Sequence, residues 1–210
     1  MSIAMQGSLF DSSVSAPELG ELGATVRRTE LTAGAWIDVR PGWLGGADEL
    51  FTRLVDVVPW RAERRQMYER VVDVPRLVCW YGEEDRLPDP VLEQAKAALS
   101  AHYRDELGEP FLTAGLCFYR DGRDSVAWHG DTIGRSKTED TMVAILSVGE
   151  PRSLLLRPRS GGESLRFHLG HGDLLVMGGS CQRTWEHAVP KTARPVGPRI
   201  SIQFRPRGVA

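Results

Sequence analysis

The sequence predicts a mainly β protein with helices confined to its N-terminal half, an α+β chain whose core is a sandwich or jelly roll. Two observations carry that expectation. From about residue 111 the chain consists of short β-branched runs broken by Gly and Pro, the texture of all-β architectures. Upstream, two segments place apolar residues at helical spacing. A chain of 210 residues with 41% hydrophobic content suits a single core.

Residues 1–23 are rich in Ser, Gly, Ala and Met with little periodicity and read as a flexible tail. Residues 24–110 hold the N-terminal strands and helices, and 111–210 the jelly roll, so that 24–210 form one domain. Short strands fit 24–31 (ATVRRTEL) and 35–39 (AWIDV), separated by Gly34. Leu50, Phe51, Leu54, Val55 and Val58 define a first amphipathic helix over 47–58. The second helix has Asp89 as its N-cap and Pro90 at its first position. Val91, Leu92, Ala95, Leu99 and Tyr103 follow on one face. Eight strand runs come next: 112–119, 125–129, 141–148, 153–157, 164–169, 173–177, 183–189 and 199–205. The two helices then buttress one outer face of the β core.

Composition narrows the class further. The net charge of −2 argues against a protein that binds nucleic acid through bulk charge. The charge is unevenly placed, however: residues 1–60 sum to −4, 61–110 to −3 and 111–210 to +5. Its 23 Arg against only 3 Lys can reflect genome composition as much as function. No run of about 18 apolar residues is present to span a membrane. The N-terminus has neither the charged lead nor the apolar stretch of a secretory signal. Cys79, Cys117 and Cys181 are odd in number and widely spaced, which fits reduced thiols and a cytoplasmic setting.

The segment WHGD puts His129 and Asp131 two residues apart at a strand. Alternate side chains of a strand share a face, so imidazole and carboxylate can converge on one ion. A distant second His completes a facial triad of two His and one carboxylate, the donor set of non-haem Fe(II) oxygenases. Two sites compete for that role. His171 and Asp173 form a second H-G-D, but Gly170 to Asp173 reads as a turn feeding a strand. His187, 58 residues beyond His129, is favoured. Arg199 and Arg205 lie on one face of PRISIQFR, where guanidinium groups can grip a planar carboxylate. The competing reading sets both arginines at the barrel rim, heads in solvent.

In order, Tyr-x-Asp-Gly from Tyr119, His-x-Asp, His-Gly-Asp-Leu-Leu, His-x-Val-Pro and the Arg199–Arg205 pair resemble the AlkB-type dioxygenases. The resemblance is strong over about 115–207 and weaker back to about 60, where VPW and VPRLVCWYG resemble the family's nucleotide-recognition lid. It implies a double-stranded β-helix that uses Fe(II), 2-oxoglutarate and O2 to dealkylate nucleic-acid bases. His129, Asp131 and His187 would bind iron, Arg199 and Tyr119 would hold the distal carboxylate of 2-oxoglutarate, and Arg205 would lie beside the co-substrate and Asp131. It also supports reading His171 to Asp173 as a family turn. Three positions depart from the family: Cys117 and Ser201 stand where Asn is common, and Ile133 lies where an acidic residue often reads the base.

A base inside a duplex cannot reach such a centre, so it must be flipped out or single-stranded. Trp80, Tyr81 and Trp128 are candidates for stacking; Arg76, Arg135, Arg152, Arg157 and Arg159 for phosphate. The plainer readings are a core role for each aromatic and solvation for each Arg. Gln6-Gly7-Ser8-Leu9-Phe10 resembles the peptide by which bacterial repair proteins dock on the replication sliding clamp, with Gln6, Leu9 and Phe10 as anchors. The expected protein is thus a monomeric repair enzyme acting on alkylated DNA or RNA. The rivals are the same chemistry on a tRNA, a small metabolite or a protein side chain, and a catalytically silent jelly roll that binds a ligand.

Overall fold

A computed structural model describes residues 16–67 and 70–209. The N-terminal half contains β1 (Glu18–Leu19), β2 (Arg27–Glu30), β3 (Ala35–Arg40), β4 (Leu44–Gly45), α1 (Ala47–Val57), β5 (Arg61–Met67), β6 (Arg70–Tyr81), α2 (Pro90–His102) and α3 (Arg104–Leu107). The C-terminal half adds β7 (Thr113–Tyr119), β8 (Val126–His129), β9 (Val143–Gly149), β10 (Arg152–Pro158) and β11 (Leu165–Leu169). It finishes with β12 (Asp173–Gly179), α4 (Cys181–Thr184), β13 (Trp185–Val189) and β14 (Arg199–Arg205). Two antiparallel sheets dominate, in the orders β2-β3-β12-β9-β14-β7-β6-β5 and β11-β10-β13-β8. Such an arrangement is the jelly roll expected from the strand spacing, and all eight C-terminal runs form strands.

The alternation of side chains builds two cores from one sheet. On β9, Ala144, Leu146 and Val148 join a core with α1 and α2, while Val143 and Ile145 point between the two sheets. On β14, Ile200, Ile202 and Phe204 take the helical side. Arg199, Ser201, Gln203 and Arg205 therefore point inward, onto the space between the sheets. A strand with one wholly apolar face and one polar face is thus fixed in register by its own pattern.

The helices follow their local signals. Asp89 accepts the Val91 N–H at 2.9 Å and caps α2, with Pro90 at the first turn. Buried Leu50 and Leu54 seat α1 against the β9 side of the sheet. Asp38 of β3, itself buried, accepts two bonds from Arg28 at 2.8 and 2.7 Å and one from the Tyr103 hydroxyl at 2.9 Å. It ties the sheet edge to the end of α2.

Three features differ from the sequence expectation. Residues 61–81 form a hairpin that the sequence does not announce: β5 (RAERRQM) has no apolar alternation, yet it pairs with β6 across a register shift between Ala62 and Arg64. Residues 183–184 belong to α4, a short turn that ends where Trp185 takes up extended backbone. The short α3 ends on Gly108, whose φ of 73° only glycine adopts freely.

Gly178 on β12 sits against the Trp36 ring, where an added Cβ would meet ring atoms at 2.1 Å. Trp36 lies between that strand and Tyr103, with no room to retreat. Gly178→Ala is expected to cost about 1–3 kcal/mol or more through overpacking, read as a fall in melting temperature.

Candidate metal centre and co-substrate pocket

His129 at the end of β8 and His187 on β13 are directly paired across the two strands, and their rings lie 4.2 Å apart. Asp131 follows two residues after His129, and donor atoms of all three lie within 4.8 Å of one another. The His129 Nδ1 contacts the carbonyl oxygens of Ala127 and His187 at 2.9 and 3.1 Å. Both are acceptors, so Nδ1 carries the proton and Nε2 keeps its lone pair for a ligand role. That Nε2 stands 3.7 Å from the Asp131 carboxylate.

Neighbours tune the two buried donors. Burial first, and the adjacent His129 second, bring the His187 imidazolium down to about 3, so the ring is held neutral as metal binding requires. Burial alone would raise the Asp131 carboxyl. Arg205, followed by His187 and His129, overcomes this and drives it well below the usual carboxylate range. The Arg205 Nε donates to Asp131 Oδ2 at 2.8 Å, which leaves Oδ1 turned to the histidines. The Asp131 backbone N–H donates to Gln182 Oε1 at 2.9 Å. Gln182→Ala is expected to weaken Fe(II) binding by about 10-fold or more, the usual cost of losing a ligand's orienting partner, as a metal titration would show.

The triad opens onto a cavity of about 900 Å³ between the sheets. Arg199 lies in its wall, almost fully buried, directly across the strands from Tyr119. Its Nε donates to Ser147 Oγ at 2.9 Å, while Nη1 is buried with no partner. An orphaned guanidinium nitrogen facing a cavity is the mark of an absent anion. Tyr119 completes the place: its hydroxyl stays protonated because burial pushes it up to about 12. The residues present therefore fit both groups: two His and one Asp would hold a metal, and Arg199 and Tyr119 would hold a carboxylate.

Residues 45–205 match the family model of the 2OG-Fe(II) oxygenase superfamily. The chain belongs to that superfamily, whose Fe(II) and 2-oxoglutarate its donor set accommodates. Within it the chain is similar to proteins of the AlkB type. It is 32% identical over 194 residues to alpha-ketoglutarate-dependent dioxygenase alkB homolog 3 of Bos taurus, over 80% of this chain and 66% of that one. It is 26% identical over 182 residues to the DNA oxidative demethylase ALKBH2 of the same organism, over 76% and 64%. The chain thus spans just under two thirds of the length of these relatives. Its fold resembles the solved structure of OsALKBH1, with a TM-score of 0.59, 14% identity and coverage of 86% of this chain and 100% of that one.

The remaining candidates divide sharply. Arg76, Trp80 and Tyr81 line the cavity, with Trp80 49% exposed. Arg76 donates to Cys117 Sγ at 3.4 Å and to the Ser125 carbonyl at 3.2 Å. Trp128 is not among the lining residues; on the alternate face from His129, it lies under the Arg157 guanidinium at 4.3 Å. Arg135 is engaged by Glu109, Glu139 and the Arg207 carbonyl. Arg157 and Arg159 share Glu186, and Arg152 donates to three backbone carbonyls. The H-G-D turn is structural: Asp173 accepts the Gly42 and Gly170 N–H groups, and His171 Nδ1 accepts that of Gly149. Ser201 and Cys117 are both in the pocket wall, bonded to Gln203 and Arg76 respectively. Ile133 is 69% exposed at the mouth. Gln182 and Ser147, which position Asp131 and Arg199, carry no motif that would announce them. Gln6, Leu9 and Phe10 lie outside the described residues.

Proposed function

We propose that the protein removes N-alkyl groups from bases of nucleic acid by oxidation, returning the unmodified base. The observation that carries this reading is the partnerless Nη1 of Arg199 in the same cavity as the His129, Asp131 and His187 donors. Bound iron supplies oxidation by O2, coupled to decarboxylation of 2-oxoglutarate to succinate. Arg199 and Tyr119 fix the far end of the co-substrate, and the histidine and aspartate donors fix the metal. The N-alkyl carbon gains a hydroxyl; the resulting hemiaminal breaks its C–N bond, releasing an aldehyde and leaving the proton on nitrogen. The names of the relatives and the half-exposed Trp80 at the cavity mouth support a base as the group admitted. A cavity of this size also leaves room for a flipped base beside the co-substrate.

The test is a panel of oligonucleotides carrying 1-methyladenine, 3-methylcytosine and etheno adducts, as DNA and RNA, single- and double-stranded. Release of aldehyde in step with succinate is expected from at least one. If none is turned over while 2-oxoglutarate is still decarboxylated, the base reading falls and the substrate lies in another class. Gln6, Leu9 and Phe10 would tether the enzyme to a sliding clamp. Deleting residues 1–11 should then abolish clamp pull-down and spare turnover of free oligonucleotides, and clamp binding that survives the deletion would overturn the tether.

A further inference from the structure

Most arginines that a nucleic-acid strand might meet are already committed to carboxylates or backbone carbonyls. Two at the cavity mouth are not. Arg61 and Arg86 both line the opening and are exposed, and among the described residues neither has an ion-pair or hydrogen-bond partner. Arg61 is placed there by the hairpin register, since it pairs with Val78 and cross-strand partners share a face. Val78 lines the cavity, as do Arg76 and Trp80, two residues either side on the same face of β6. Arg86 follows the end of β6 and stands on the same rim.

The same opening is lined by Trp80 and Ile133, two of the three exposed large hydrophobic residues among the described ones. Exposed apolar groups of this size beside an opening that leads to a metal centre mark a docking surface. Of the acidic residues in the lining outside the metal centre, Asp85 accepts the Gly82 N–H at 2.7 Å, and Glu63 sits on the β5 strand with a partner of its own. Neither takes up Arg61 or Arg86. Cations in front of aromatic and apolar surface, in no contact ion pair among the described residues although Glu93 lies within electrostatic reach of Arg86, suit a polyanion whose bases stack.

We propose that Arg61 and Arg86 each grip a backbone phosphate of a nucleic-acid strand, while the selected nucleotide stands between Trp80 and Ile133 on its way into the cavity. The proposal rests on the base-dealkylation reading and supplies its phosphate contacts. Selectivity by sequence is not expected from this grip, because phosphate contacts position a strand without reading it.

The experiment measures binding of a fluorescently labelled single-stranded oligonucleotide containing one 3-methylcytosine to the full chain, as DNA and as RNA, over a range of salt. Arg61→Gln and Arg86→Gln should each weaken affinity for every sequence. Each should also reduce the steepness of log K against log salt by about 0.7, the value of one phosphate contact on a single strand. The double variant should lose about twice that. Melting temperature and Fe(II) affinity serve as the folding controls, and Arg166→Gln, at the edge strand β11, should leave the slope alone. Unchanged slopes in both variants overturn the proposal, whatever the enzyme turns over. Reduced slopes with no aldehyde released from any oligonucleotide leave the phosphate grip standing and sink the base-dealkylation reading instead. No binding by the unsubstituted protein sinks the grip outright.

Discussion

Replacing Arg199 with Met should make the ligand-free protein harder to melt and leave it unresponsive to 2-oxoglutarate. The two effects have one origin. Arg199 is 1% exposed, inside a β core, and its Nη1 has no partner until a carboxylate arrives. Burial works against its charge, and the nearby Arg152 adds repulsion. An apolar side chain of similar volume in such a place is commonly neutral or stabilising by about 1–4 kcal/mol. The same change removes one partner of a buried charge pair with the co-substrate, which costs about 2–5 kcal/mol of binding, at least about 30-fold in 2-oxoglutarate affinity. Thermal melts with and without 2-oxoglutarate and Mn(II) read both effects at once. Saturation at about 100 times Kd should add about 2.7 kcal/mol to the parent and almost nothing to Arg199→Met. Arg199→Lys keeps the charge but not the two-pronged geometry, so it should fall between. A variant that is less stable and still shifted by co-substrate would show that Arg199 holds the fold rather than the ligand.

The second large effect is at Asp131. Asp131→Ala should abolish Fe(II) binding and 2-oxoglutarate decarboxylation, and it should also destabilise the ligand-free chain. Arg205 is only 10% exposed and directs its Nε to that carboxylate, so truncating Asp131 leaves a buried charge uncompensated, at about 3–5 kcal/mol. Adding Arg205→Met should restore much of that stability without restoring iron. His129→Ala provides the contrast. Its side chain is 37% exposed and its Nδ1 bonds only to backbone carbonyls, so iron should be lost with little change in melting temperature. Equal destabilisation by Asp131→Ala and His129→Ala would contradict the account of Arg205.

The C-terminal half of the fold and the metal donors are legible in the sequence because each leaves a local trace. Strands such as β9 and β14 alternate strictly between two environments, and Gly or Pro marks their ends. His129 and Asp131 fall two apart on one strand, and the inward face of β14 carries Arg199 and Arg205 together. What is not legible depends on partners brought together only by folding. Gln182 and Ser147 are ordinary residues until their neighbours are known. Likewise a run of charge does not reveal which cations are already paired. Arg135, Arg152, Arg157 and Arg159 looked available for phosphate, yet all four are engaged within the protein. Arg61 sits in a strand whose charged sequence hides its pairing, and Arg86 in a loop, so neither stands out without coordinates.

The position of strands within the large sheet has a further consequence. β14 lies between β9 and β7, hydrogen-bonded on both sides and packed on both faces, whereas β5 ends the sheet and is paired only through β6. Amide exchange should therefore be slowest along the strand that holds the co-substrate and fastest along the hairpin proposed to meet nucleic acid. Chemistry and admission thus sit at the protected and the unprotected parts of one sheet, joined through β6, whose Arg76 bonds Cys117 and whose Trp80 lies beside Arg205. Changes along the outer strand β5 can re-specify what enters while the iron and its diacid keep their geometry, so altered substrate range can evolve with little loss of oxidative competence.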